Sequence, residues 1–361
     1  MPKSHESLQQ PRHGRQTKKD LEAHVKARRV AALIVNTRSR RGQRLYSRAK
    51  TLLEEKGITL GATYPVRDPV RLPEVVKENI AHGVKLVIIG GGDGTISSVV
   101  DELAYKDVVL GILPLGTANS FARTLAIPLS VGGAVEVIVA GKVADVDLGK
   151  IDDDYFANAS ALGLSSSIGR SKLHLIKRYL GRAGYLIVAS AKFFSHRAFR
   201  CTLTYDDRTV TVEALDVLIA NGPYHGGVFV VREAAVESRD LVIRIIKGPN
   251  KWNLLKAWKM IAIGSSPGPP LIELVRTSDV WIEASPTQYV SIDGEVVTRT
   301  PVRASIAREA LKLMVPPEFE DREDPAMGGL ILSATGACAK ARICARPPQR
   351  GQHDGSLWLS Q

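Results

Sequence analysis

The chain has 361 residues, 44% of them hydrophobic, with a mean hydropathy near zero, which fits a soluble globular protein of two domains. Its 49 Lys and Arg against 37 Asp and Glu give a net charge of +12, so the surface attracts polyanions: nucleic acid, anionic lipid headgroups or phosphorylated metabolites. No run reaches the roughly 18 apolar residues of a transmembrane helix, and the three widely spaced cysteines, Cys201, Cys338 and Cys344, offer no metal-ligand spacing and read as free thiols in a reducing compartment.

Residues 1–28 carry Lys18, Lys19, Lys26 and Arg28 with little apolar periodicity, and read as a disordered basic arm. From 29 to 147 strands and helices alternate. The run VAALIV (30–35) is a buried strand, NTRSRRG (36–42) a polar loop, and RLYSRAKTLLEEKG a helix ended by Gly57. ITLGATYPV predicts a second strand, RLPEVVKENIAHG a helix, and KLVIIG a third strand. TISSVVDELAYK places Ile96, Val99, Val100 and Leu103 on one helical face. VVLGILPLG is a fourth strand and TANSFARTLA another helix. Repeated units of this kind predict a parallel sheet covered by helices.

Residues 148–317 have another texture. RCTLTYDDRTVTVEALDVLIANG, LVIRIIKG, DVWIEAS, QYVSIDGEVV and VRASIAREALKLMVP are strand-like runs with turn signals, which predict an antiparallel β domain. One helical block, LIKRYLGRAGYLIVASAKFFSH, interrupts them; it is either a core helix or an interfacial patch. Residues 318–361 read as a loosely ordered tail.

The chemistry concentrates where strands end. In GGGDGT, Gly91, Gly92, Gly94 and Thr95 follow a strand and open a helix, an arrangement that offers backbone N–H groups to phosphate. Asp93 contradicts a pure anion site, because a carboxylate beside phosphate needs a cation between them; it implies Mg²⁺ or else caps the helix that starts at Ile96. PLGTAN (114–119) repeats the pattern, with Thr117 placed to cap its helix and to donate to a phosphate. The first loop adds Asn36, Ser39 and Arg40, with Arg40 or Arg41 able to bridge phosphate oxygens. Three polar loops at one sheet edge point to a nucleotide site. Further on, Asp293 and Glu295 flank a glycine in SIDGE; Asp-Gly is an ordinary hairpin turn unless it faces those loops.

GGGDGT, PLGTANSFAR, VDLG and VSIDGE, in this order and spacing, resemble the diacylglycerol kinase catalytic-domain family, over roughly residues 30–316. The resemblance implies an α/β nucleotide-binding domain and a β-sandwich domain with the active site between them. It implies transfer of the ATP γ-phosphoryl group to a lipid hydroxyl, with ATP as co-substrate and Mg²⁺ as cofactor. Carried over by motif, Gly91, Gly92, Asp93, Gly94, Thr95, Ile96, Ser97, Gly116, Thr117 and Asn119 contact nucleotide. Thr63, read in the segment after the second strand, joins them. Asp93 and Asp147 organise the metal, and Asp293 with Glu295 acts as general base. Two departures stand out: Asn119-Ser120 where the family has Asn-Asp, and Ser238-Arg239 where it has the Asp-Gly of a second ion site.

The expected setting is cytoplasmic, peripheral at the inner membrane surface, with an anionic bilayer supplying the lipid; no motif supports nucleic acid, and a homodimer stays open. Two other readings remain: a NAD kinase-like phosphotransferase with a soluble acceptor, and a non-catalytic lipid-binding protein on the same fold.

Overall fold

The computed structural model describes residues 15–38, 40–166, 193–263 and 271–320. Ser39, the 175–192 part of the helical block, Cys338, Cys344 and the tail beyond 320 lie outside these residues.

The basic arm is corrected over its last third. Residues Lys18–Arg28 form helix α1, opened by a capping box in which Thr17 Oγ1 accepts from Asp20 N and Asp20 accepts from Thr17 N. Leu21 and Val25, four apart, are buried, and Glu22 Oε2 accepts from Val143 N at 2.8 Å.

In the N-terminal half, strands β1 (Val30–Asn36), β2 (Thr59–Val66), β3 (Leu86–Gly91) and β4 (Val109–Pro114) pair in parallel in the order β2-β1-β3-β4. Helices α2 (Arg40–Glu55) and α3 (Leu72–Ala81) return the chain between them. Helix α2 starts at Arg40, so 40–42 are helical rather than loop. The helix expected over 95–106 is two pieces, α4 (Asp93–Ser97) and α5 (Val100–Leu103). Ser98 Oγ donates to Thr95 O at 2.9 Å, a side-chain bond of the kind that competes with the helical ladder. All four apolar positions of the stripe are still buried. After β4 come the short α6 (Ser120–Thr124) and α7 (Val131–Ala140). Sequence reading missed α7, because Gly132 and Gly133 sit in its first turn; Ser130 Oγ caps it by accepting from Gly133 N.

Strand β5 (Lys142–Ile151) carries the chain out of this half and runs through the expected boundary at Asp147. The remaining strands are β6 (Asp154–Phe156), β7 (Ala159–Gly163), β8 (Phe199–Tyr205), β9 (Arg208–Ala220), β10 (Tyr224–His225), β11 (Val228–Phe229), β12 (Leu241–Lys247), β13 (Ile272–Thr277), β14 (Asp279–Ser285), β15 (Tyr289–Ile292), β16 (Glu295–Arg299) and β17 (Val302–Val315). They pair antiparallel with one another, and β12 and β13 are followed and joined through α8 (Trp252–Ala262), a helix that sequence reading did not place.

Strand β17 joins the halves. Its first part pairs with β14, its end lies parallel to β4, and β5 runs antiparallel along most of it. Among the described residues the result is one large mixed sheet, parallel at the N-terminal end and antiparallel at the other, with β10–β11 a separate two-stranded hairpin. The two largest of its apolar cores lie around Ile34, Ile88 and Leu110 and around Phe199, Val217 and Ile243.

Candidate active site

The two glycine loops touch. A Cβ built on Gly92 would stand 3.0 Å from Gly116 Cα, and one built on Gly116 would stand 2.7 Å from Asn119 Oδ1. Backbone meets backbone there, so neither residue can grow a side chain without moving a loop. Gly91 is confined by the Thr95 side chain instead. Gly94 is exposed and a Cβ there would meet nothing within 4 Å, so it is the glycine that leaves an open approach to the loop amides.

Asp93 ties the loops together. The N-cap of α4 is Gly92, and the Asp93 carboxylate reaches across, Oδ1 accepting from Phe121 N at 3.1 Å in the first turn of α6. It is therefore no cap for its own helix. Thr117 does not cap α6 either; it is exposed, and the N-cap is Asn119 in the left-handed region at φ 48°. The Asn119 side chain holds its loop shut: Oδ1 accepts from Gly116 N at 2.9 Å, and Nδ2 donates to Gly116 O at 3.1 Å.

The first loop reaches the same place. Asn36 Nδ2 donates to Thr95 Oγ1 at 3.1 Å, and Asn36 Oδ1 accepts from Arg38 N. Ile96 points into the core, so only its backbone faces the loop, and Ser97 is half-buried. Arg40 starts α2. Thr63 is corrected: it lies inside β2, beside Leu33, and not after the strand.

Asp293 and Gly294 form the tight turn between β15 and β16, both left-handed at φ 45° and 97°. The ordinary hairpin role is real, and the carboxylate has a second one. Its Oδ2 accepts from Ala157 N at 3.1 Å, and its Oδ1 from Asn158 N and Ala159 N at 3.2 Å. Burial pushes its pKa up to about 6; the three amides oppose this, and the nearby Asp93 charge adds to it. The turn thus lies within electrostatic reach of Asp93, some two hundred residues away in sequence. Glu295 starts β16 at the sheet edge and is exposed.

Asp147 has a structural task that sequence reading did not give it. Its Oδ2 accepts from Arg239 N at 2.9 Å and its Oδ1 from Glu309 N at 2.7 Å. Both recipients of this support are left-handed, at φ 63° and 51°, and Arg239 Nη2 pairs with Glu309 Oε1 at 2.9 Å. Burial raises the Asp147 pKa, and the two amides oppose it. The carboxylate thus braces the β17 bulge and the 238–240 turn. Where the resemblance implies a second ion, Arg239 supplies the positive charge, so that site does not fit a cation.

Mg²⁺ fits the remaining donors in a limited way. Among the described residues no group of three or more His, Cys, Asp or Glu side chains forms a cage, and Asp93 Oδ2 takes no hydrogen bond. A site of one carboxylate completed by phosphate and water is the common pattern for Mg²⁺.

Sequence reading missed one wall of the site. Hairpin β10–β11 is tied to α6, with Ser120 Oγ accepting from Gly227 N at 2.9 Å and Gly227 lying against Ala118. The hydroxyl stands where the family pattern has a carboxylate, and it makes a bond that a carboxylate could also accept. His225 on this hairpin is near Asp93; burial and the Arg244 charge hold its pKa below the ordinary value, with Asp93 opposing them. The signal was the NGPYHGG segment, whose glycines permit the close approach.

The diacylglycerol kinase catalytic domain matches residues 30–151, and the YegS C-terminal NAD kinase beta sandwich-like domain matches residues 161–315. A Pseudomonas fluorescens protein described as "Probable lipid kinase YegS-like" is 32% identical over 260 residues, 70% of this chain and 82% of that one. The chain belongs to the diacylglycerol kinase catalytic-domain family. Within this lipid kinase family, an Enterobacter protein with the same description is 29% identical over 79% of this chain and 96% of its own length. A diacylglycerol kinase of Staphylococcus saprophyticus is 24% identical over 68% of this chain and 81% of its own. A solved diacylglycerol kinase from Bacillus anthracis shares the fold, with a TM-score of 0.65 at 22% identity, covering 81% of this chain and 98% of that one. No described helix of this chain is long and apolar enough to cross a membrane.

Proposed function

We propose that the chain transfers the γ-phosphoryl group of ATP to the hydroxyl of a lipid, diacylglycerol or a close relative, with Mg²⁺ bound beside Asp93. The observation that supports this most is Asp293: a carboxylate held by three backbone amides, raised to about 6, and close enough to Asp93 to feel its charge. At neutral pH such a group is ionised yet more basic than an ordinary carboxylate, which suits a general base. The acceptor O–H donates to Asp293. As the new O–P bond forms the proton passes to the carboxylate, and the bond to ADP breaks in line.

The rest of the site positions and neutralises, as phosphoryl transfer requires. The Gly92 and Gly116 loops meet at one sheet edge, a surface suited to phosphates, and Gly94 leaves the approach open. Mg²⁺, when bound, would neutralise phosphate oxygens and screen them from Asp93. The Asp93–Phe121 bond keeps the two loops in one register. Glu295, exposed at the hairpin edge, is the weaker candidate for proton transfer.

The test is labelled ATP offered with diacylglycerol, a sphingoid base and NAD side by side. Label in the lipid fraction is expected. Label appearing only in NADP would sink the lipid assignment.

A further inference from the structure

Helix α8 has two apolar faces. Inward, Leu254 and Ala257 pack with Leu164, Phe193, Leu215 and Ile246. Outward, Trp252 is 49% exposed, Leu255 41% and, just past the helix end, Ile263 71%. Lys256 and Lys259 are exposed too, and positions 252, 255, 256, 259 and 263 fall on a single helical stripe. From Gly248 to Ile263 the sequence holds no acidic residue.

The stripe continues onto its neighbours. Phe194 is 62% exposed; Lys251 Nζ donates to its carbonyl at 2.8 Å and stands over its ring, while Phe193 meets Trp252 edge-on at 5.6 Å. Strand β11 lies beside α8 and exposes Val228 and Phe229. Six of the twelve large apolar residues exposed among the described residues belong to this one region, so it is a patch and not ordinary surface scatter. The hairpin that carries β11 is the one that puts His225 near Asp93.

We infer that the outward face of α8, with Phe194 and the β11 edge, is the surface by which the protein docks on an anionic bilayer. Tryptophan and leucine beside lysines suit the headgroup boundary, where apolar tips enter the acyl region and ammonium groups stay at the phosphates. A second copy is the poorer occupant. A two-fold dimer through this face would set Lys256 and Lys259 against the same lysines, with no acid on the stripe to pair them. The inference deepens the lipid-acceptor proposal: docking here sets the hairpin wall of the active site against the membrane that holds the acceptor.

The test uses the full chain and sedimentation with vesicles, without ATP, so binding is read apart from turnover. Vesicles of phosphatidylglycerol and phosphatidylcholine should bind the wild type at least tenfold better than phosphatidylcholine alone. Trp252→Ser with Leu255→Ser should lose at least tenfold of that binding. Lys256→Glu with Lys259→Glu, two exposed changes that spare the core, should lose the salt-sensitive part. Both should keep turnover on a short-chain diacylglycerol in solution. Wild-type binding by both variants, or no wild-type preference for anionic vesicles, would overturn the inference. So would unchanged vesicle binding with a shift in molar mass by light scattering, which would assign the face to a second copy. Vesicle binding with no phosphorylation of diacylglycerol would leave the surface standing and remove the acceptor proposal; phosphorylation without binding would do the reverse.

Discussion

Asp93 Oδ1 accepts from Phe121 N at 3.1 Å, so the carboxylate of one glycine loop fixes the helix that leaves the other. One residue thereby carries a charge for the site and a hydrogen bond for the fold, and substitution can separate the two. Asp93→Asn keeps an oxygen for Phe121 N and should melt within a few degrees of the wild type, yet lose about a hundredfold or more in turnover. Asp93→Ala should lose the activity and also about 1 kcal/mol of stability. Thermal melts beside kinase assays decide, and an active Asp93→Asn would remove the charge from the mechanism.

The pH profile should report Asp293. Its proton is held up to about pH 6, so the basic form predominates above that value. kcat/KM for the acceptor should be level near neutrality and fall about tenfold per pH unit below 6. A profile flat down to pH 4.5 would mean that Asp293 is not the base.

Asp147 separates two accounts of one carboxylate. With both oxygens on part-buried backbone amides, Asp147→Ala leaves the Arg239 and Glu309 N–H groups without their protein partner and should cost about 1–3 kcal/mol. Denaturant unfolding measures this. Unchanged stability with a weakened Mg²⁺ dependence would return the residue to metal binding.

Gly116→Ala should damage nucleotide binding more than folding. The new methyl group meets the Gly92 backbone and Asn119 Oδ1, and the loops must part. A destabilisation of about 1–3 kcal/mol is expected from overpacking, with the KM for ATP raised about tenfold or more by the displaced amides. Gly94→Ala, which meets nothing in the protein, should fold as the wild type, and any loss it shows reports the approach of the ligand itself.

Much of this was legible in sequence because it was local. Apolar runs mark β1, β3 and β4, the last two closed by glycines, and the motifs bring Asp93 and Asn119 to one sheet edge. Asp293 was legible as a turn, while its meeting with Asp93 depends on how the antiparallel half folds back. What stayed hidden is held by distant partners. Helix α1 shows only Leu21 and Val25 to a core elsewhere in the chain. The amides that occupy Asp147 lie 92 and 162 residues away, so its structural role could not be read from its neighbours in sequence. The break at Ser98 turns on one hydroxyl choosing a carbonyl three residues back, which a periodic stripe does not reveal.

The most direct measurement is transfer of label from γ-labelled ATP to diacylglycerol in vesicles, by the wild type and by Asp293→Asn side by side. The account predicts labelled lipid phosphate with the wild type and a loss of about a hundredfold or more with the variant. Labelled lipid at equal rates from both, or none from the folded wild type with Mg²⁺ present, would contradict it.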